Sequence, residues 1–137
     1  MINNQTGDKV LFESHENIAI LIINNPPVNA LSKHVRLELA SHLKRAESDQ
    51  NIDAVIICGA GKNLCGGADI REFNTPDREV EPMSRDLVNL IEDFQKLVIA
   101  EIRGPTFGGG LELALGCHYR VAEADSFVGL PEVLRGV

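Results

Sequence analysis

At 137 residues the chain has the length of one domain or a large part of one, and 44% hydrophobic with 24% charged residues is an ordinary globular balance. Thirteen basic against twenty acidic residues leave a net charge of −7 with no Lys/Arg cluster interleaved with aromatics, so no nucleic-acid partner is expected. The strongest apolar run, Ile18 to Ile23, is far too short to span a bilayer, and Cys58, Cys65 and Cys117 form an odd set without a CxxC pair, which argues against a disulfide framework or a zinc site.

The first residues, with Asn3, Asn4 and Gln5 before Gly7 and Asp8, have neither the basic start nor the apolar core of a secretory signal, so a reducing, cytoplasmic setting is expected. Val10 to Phe12 and Ile18 to Ile23 read as two strands of a hairpin joined by the polar turn Glu13 to Asn17, and Asn24-Asn25-Pro26-Pro27 ends the second strand. Ser32 suits a helix N-cap, after which Val35, Leu39, Leu43 and Ala46 recur at helical spacing. Lys33, Arg36, Lys44, Arg45 and Glu47 are expected on its wet faces.

Ala54 to Cys58 lacks alternation and stops at Gly59, as expected of a strand buried on both faces of a parallel sheet. A loop carries Cys65-Gly66-Gly67-Ala68-Asp69, and charged, proline-containing Asn74 to Pro82 predicts an exposed loop. A second helix would turn Leu87, Leu90, Ile91, Phe94 and Leu97 inward, and Val98 to Ile102 would be the next strand. The glycine turn Gly108 to Gly110 then opens a helix over Leu111 to Cys117, followed by strands at Tyr119 to Ala122 and Ser126 to Val128 and the start of a helix at Pro131. Strand and helix alternation predicts an α/β fold with a largely parallel sheet, in one domain without internal repeats.

The chemistry-bearing features are the run Gly108-Gly109-Gly110-Leu111-Glu112 and, twenty residues later, Leu130-Pro131-Glu132. Adjacent glycines let peptide N–H groups approach a ligand, a helix starting there adds its positive dipole end, and a carboxylate follows in each segment. That combination suits a site that stabilises an oxyanion while moving a proton. Gly59-Ala60-Gly61-Lys62 is no phosphate loop: a Walker loop needs glycine where Ile56 stands and Ser or Thr where Asn63 stands. A dinucleotide fingerprint fails at Leu64. Each glutamate taken singly also fits a plain first-turn residue serving a helix dipole. Cys65 has no evident base beside it and reads as a small buried residue, His118 as a structural histidine, and Asp69 with Arg71 as a cap on a short helical segment.

Asn25-Pro26-Pro27-Val28-Asn29-Ala30-Leu31-Ser32, Cys65 to Asp69, Gly108 to Glu112 and Leu130-Pro131-Glu132, in this order, resemble the enoyl-CoA hydratase/isomerase family, the crotonases. Leu111 to Val121 is most similar to the hydratase/isomerase region of multifunctional fatty-acid β-oxidation enzymes. The resemblance implies a crotonase-like (ClpP/crotonase) spiral of ββα units, of which residues 1–137 would be the N-terminal portion, since family domains continue for roughly another hundred residues, one ordinary domain in all. It implies addition of water to a trans-2-enoyl-CoA, with isomerase activity as a related outcome. The thioester oxygen would be held by the backbone N–H groups of Ala68 and Gly109, Glu132 would donate a proton to the α-carbon, and Glu112 would orient and activate water. Val28, Ala30, Gly66, Ala68, Asp69, Ile70 and Gly109 would contact coenzyme A or substrate. No metal and no cofactor are implied, coenzyme A entering only as the thioester substrate, and the family normally forms trimers or fuses to dehydrogenase domains.

The chain departs from the family pattern at Gly66, commonly alanine, at Pro105-Thr106-Phe107, which replaces a small aliphatic run, and at Leu134-Arg135. Gly66 and Phe107 bear on acyl or pantetheine fit. Two readings of function stand at this point, a hydratase with isomerase chemistry and a catalytically inactive, truncated acyl-CoA-binding or oligomerisation module. Both favour a homo-oligomer, because uncovered apolar surface is relieved by a second copy.

Overall fold

The structure, a computed structural model, describes residues 7–132. Alternation builds the first two strands. Val10 and Phe12 of β1 (Val10–His15) and Ala19, Leu21 and Ile23 of β2 (Ile18–Ile23) are buried, while Leu11, Ile20 and Ile22 between them are only partly covered. This is the period-2 signature of a sheet with its core on one face. The expected hairpin forms with longer strands than the sequence suggests, because Glu13 to His15 continue the ladder opposite Ile18 to Ile20, leaving Glu16 and Asn17 as the turn.

Helix α1 (Lys33–Ser48) starts where expected, with the Ser32 hydroxyl accepting the Val35 N–H at 3.3 Å, and buries Val35, Leu39, Leu43 and Ala46. Arg36 corrects the expectation of a wet face: it is 5% exposed, because residues 72–82 fold over it. Strand β3 (Ala54–Gly59) pairs parallel with β2 and β4 (Leu97–Ile102) parallel with β3. Burial on both faces of β3 is not fully met. Val55 and Ile57 are buried, and on the other face Cys58 is buried but Ile56 lies in a row with Ile20, Ile99 and Tyr119 that is half-buried at best.

The segment expected as an exposed loop at 74–82 contains the 3₁₀ turn Pro76–Glu79, after a first such turn at Ile70–Glu72. Helix α2 (Ser84–Glu92) buries Leu87 and Ile91, and Phe94 is buried just beyond it. Leu97 does not extend that face but opens β4, 38% exposed. The chain reverses between them, since the Lys96 ammonium donates to the Ala46 and Asp49 carbonyls at the end of α1 (2.8 and 2.7 Å), where the helix dipole favours a cation.

Pro105–Phe107 forms an unforeseen short strand, β5, and the glycine turn leads into α3 (Gly109–Gly116), two residues earlier than the apolar run suggests. Strand β6 (Tyr119–Ala122) joins β4 in parallel, completing the order β1-β2-β3-β4-β6, while β7 (Phe127–Gly129) pairs parallel with β5 in a second, two-stranded sheet. Each later turn of the chain thus leaves one strand in the large sheet and a segment in a second layer, with all pairs parallel except the opening hairpin. Glu132 is the last described residue; most of the helix expected after Pro131, and Leu134-Arg135, lie outside the described residues. Among the described residues no helix is long and apolar enough to cross a membrane.

The hydroxyl of Thr106 in β5 is fully buried without a hydrogen-bond partner among the described residues. An unsatisfied buried donor costs about 1–3 kcal/mol, so Thr106→Val, of nearly the same shape, is expected to stabilise the fold by about 1 kcal/mol, seen as a raised urea midpoint at unchanged m-value. An unchanged or lowered midpoint would show that the hydroxyl is satisfied.

Candidate active site

Two loops frame the site, and both are held by backbone pairing to their neighbours. The Gly66 N–H donates to the Val28 carbonyl and the Leu31 N–H to the Gly67 carbonyl, both at 2.8 Å, with Leu31 and Ala68 forming a parallel bridge. On the other side the Phe107 N–H reaches the Cys65 carbonyl at 3.2 Å, so residues 65–68 are stitched between the 28–31 segment and β5. Buried asparagines lace the same loops. The Asn29 amide donates to the Ala60 and Asn63 carbonyls (2.9 Å each), and the Asn63 amide to those of Val28 and Pro105 (3.0 and 2.9 Å).

Each loop carries a glycine at positive φ. Gly67 has φ +105°, and Gly108 has φ +53° with the Glu132 carboxylate lying where its Cβ would stand. The amides expected to act together do approach each other. A Cβ on Gly109 would lie 3.9 Å from the Ala68 nitrogen, and one on Gly67 would lie 3.6 Å from the Gly109 nitrogen. Gly109 is the first residue of α3, so its N–H has no intrahelical acceptor and sits at the positive end of the helix. Among the described residues neither the Ala68 nor the Gly109 N–H donates to another group.

A hollow of about 280 Å³ opens against these loops, lined by Gly66, Gly67, Ala68, Ile70, Phe73, Phe107, Gly108, Pro131 and Glu132. A neighbouring hollow of about 280 Å³ is bordered by Val28, Ala30, Gly66, Ala68, Asp69 and Ile70, the first six of the seven expected contact residues. The two share Gly66, Ala68 and Ile70. Gly109, the seventh, stands behind Ala68. Glu132 therefore borders the same hollow as Ala68, against Gly108, whereas Glu112 does not border either hollow. It is exposed on α3, one turn after Gly109, in a separate recess with Arg85, Val88, Glu92, Leu115 and Gly116.

Asp69 caps the first 3₁₀ turn by accepting the Arg71 N–H at 3.0 Å, and the Arg71 guanidinium pairs with both its oxygens at 2.9 Å. Those bonds hold the Asp69 carboxyl below the usual carboxylate range despite its burial. Burial pushes the Cys65 thiol up to about 12 and the Cys117 thiol up to about 12, so neither is a nucleophile at neutral pH. His118 is structural as expected, its Nδ1 accepting the Val98 N–H and its backbone N–H donating to the Val98 carbonyl, both at 2.9 Å. Sequence reasoning passed over Asn29, Asn63 and Arg36. The first lay inside a recognised motif, but a lone polar residue on a loop or helix carries no sign of the carbonyls it will meet.

The alternating strands and helices, with the 65–69 loop and the start of α3 meeting at one end of the sheet, form a crotonase-like α/β fold. Residues 13–137 match the family model for enoyl-CoA hydratase/isomerase, and the chain belongs to that family. It is 48% identical over 120 residues to a peroxisomal bifunctional enzyme of Danio rerio, covering 88% of this chain and 16% of that protein. It is 42% identical over 125 residues to a probable enoyl-CoA hydratase of Bacillus subtilis, covering 88% of this chain and 48% of that protein. The crystal structure of an enoyl-CoA hydratase from Thermoplasma volcanium superposes with a TM-score of 0.87 at 29% identity, over 96% of this chain and 54% of that one. The chain thus spans about half the length of the bacterial relative and about a sixth of the zebrafish one.

Because the folded carboxyl of Asp69 ionises more readily than a free one, its contribution to stability is present above about pH 4, the ordinary carboxylate value, and is lost as pH falls through the lower folded value. Urea unfolding across pH 2–7 should therefore show wild type more stable than Asp69→Asn at neutral pH, with the gap closing on the acid side. A gap independent of pH would remove the ion pair as its cause.

Proposed function

We propose that the protein adds water across the double bond of a trans-2-enoyl-CoA. The reading rests on the approach of the Ala68 and Gly109 amides beside the Glu132 carboxylate. Coenzyme A would lie along Val28, Ala30, Gly66, Asp69 and Ile70, delivering the thioester oxygen to the two N–H groups. A base takes a proton from water as the water oxygen bonds to the β-carbon, and the π electrons move onto the thioester oxygen; the family resemblance gives that role to Glu112, whose side chain would have to turn from the α2 recess toward the amides. The enolate collapses as Glu132 gives its proton to the α-carbon, and exchange between the carboxyls and solvent restores the starting state. Each fixed oxyanion donor is worth about 10²–10³ in rate in measured systems. With Glu132 alone beside the amides, the same site supports transfer of a proton between the α- and γ-carbons, the isomerase outcome.

A second reading has its own observation. Glu112 shares no hollow with Glu132, and Leu115, Val121, Val128 and Leu130, with Tyr119 (64% exposed) and Phe127 (69% exposed), leave apolar surface open, as in a binding or assembly module. We propose that a second copy of the chain covers part of this surface. Sedimentation at micromolar concentration should give a mass above that of one chain, and a single-chain mass would sink the homo-oligomer. For the compartment, three buried unpaired thiols fit a reducing one, the cytoplasm, while the name of the zebrafish relative sets that protein in the peroxisome.

Hydration of a short trans-2-enoyl-CoA, followed as loss of the conjugated-thioester absorbance, tests the catalytic reading. Glu132→Gln and Glu112→Gln are each expected to lower kcat by about 10²–10⁴, the span of a general acid or base. A folded wild type that binds the thioester without turnover would leave the binding module standing. Full activity in Glu112→Gln would confine the chemistry to Glu132.

A further inference from the structure

We infer that Arg36, on the first turn of α1, is a positioning residue that sets the orientation of the Ala68 N–H from behind the site. A guanidinium has five N–H donors in a rigid fork. Here each donor meets an oxygen: Nε donates to the Pro82 carbonyl at 2.8 Å, Nη1 to the Leu31 carbonyl at 2.9 Å and Glu72 Oε1 at 3.3 Å, and Nη2 to the Asp77 and Val80 carbonyls at 2.9 and 3.1 Å. The side chain is 6% exposed, so these bonds are made in a site from which water is nearly excluded.

The connection to the site is a short chain of bonds. Arg36 fixes the carbonyl of Leu31, and the N–H of the same residue donates at 2.8 Å to the Gly67 carbonyl. The Gly67 carbonyl and the Ala68 N–H belong to one planar peptide, on which they point in opposite directions. Holding the oxygen therefore aims the hydrogen. Gly67, at φ +105°, offers little resistance to rotation of that peptide, so the bond from Leu31 supplies the restraint. Arg36 also gathers the segment that walls the same region. Glu72, held by Nη1, accepts the Lys33 N–H with its other oxygen at 2.8 Å, and the carbonyls of Asp77, Val80 and Pro82 bring residues 72–82 onto α1. Phe73 of this segment lines the hollow that holds Glu132. Lysine cannot replace this fork, since its three donors radiate from one nitrogen and reach fewer of the five oxygens.

The link from Arg36 to the Ala68 amide stands on geometry alone, while its effect on rate rests on the hydratase reading. The test compares Arg36→Lys, Arg36→Met and, as a control on the same helix, Arg45→Met, whose guanidinium stacks on Phe12 at 3.9 Å from the ring centre. Amide hydrogen exchange at Leu31, whose N–H donates to the Gly67 carbonyl, is read beside kcat and KM for a short trans-2-enoyl-CoA, each scaled to the folded fraction. Both Arg36 variants should exchange the Leu31 amide about tenfold or more faster and lose kcat by about 10–100-fold at a nearly constant KM, the scale of a misplaced donor. Arg45→Met should match wild type in both. Wild-type exchange in a folded Arg36→Lys or Arg36→Met overturns the inference, as does a loss of kcat no larger than the loss of folded protein. If wild type itself shows no turnover, the hydratase reading fails, and the exchange arm alone still decides whether Arg36 holds the Ala68 peptide.

Discussion

The bond from the Leu31 N–H to the Gly67 carbonyl is the constraint on which the rest of the site depends. It ties the loop after β3 to the segment that enters α1, and so couples the glycine-bearing strand end to the helix packed across the sheet. Around it the chain spends its buried polar groups on holding irregular backbone still. Asn29 and Asn63 satisfy four carbonyls between them, and Arg36 satisfies four more and one carboxylate. Buried carbonyls left without partners would each cost free energy comparable to a lost hydrogen bond, so loops of this kind persist only where side chains reach them.

The stability of the large sheet and the irregularity of the site are complementary. Val10, Leu21, Val55, Ile57 and Val98 supply a regular one-sided core against Leu39, Leu43 and Ala46 of α1. That core lets the strand ends carry glycines, positive φ angles and two free amides at low risk to the fold. The far side of the sheet, with its row from Ile20 to Tyr119, and the exposed apolar residues of β6 and β7 mark surfaces that the described residues cover only in part. The chain spans about half of the bacterial relative and about a sixth of the zebrafish one.

The reading of Glu132 and Glu112 diverges once placed in space. Glu132 follows a proline and a short parallel strand that delivers it over Gly108, where the lack of a Cβ leaves room for its carboxylate. Glu112 is set by helix geometry alone, one turn beyond Gly109, and opens toward α2. Two residues of one type in one motif set thus reach different environments, because one is positioned by long-range strand pairing and the other by its own helix.

The sequence by itself determined the local elements: the hairpin, the amphipathic α1 with its Ser32 cap, the compact β3, the glycine entry to α3 and the four motifs that carry the family resemblance. These follow from side-chain period, capping chemistry and glycine's freedom, all of which act within a few residues. The tertiary structure alone decided that β5 and β7 pair, that Leu97 belongs to a strand, that one face of β3 stays half-open, and that Arg36 is buried. Each depends on partners far along the chain. Arg36 shows the physical reason most plainly. On a helix surface a charged residue is expected in water, and only when the carbonyls of residues 31, 77, 80 and 82 and the Glu72 carboxylate are brought around it does burial satisfy every donor it has.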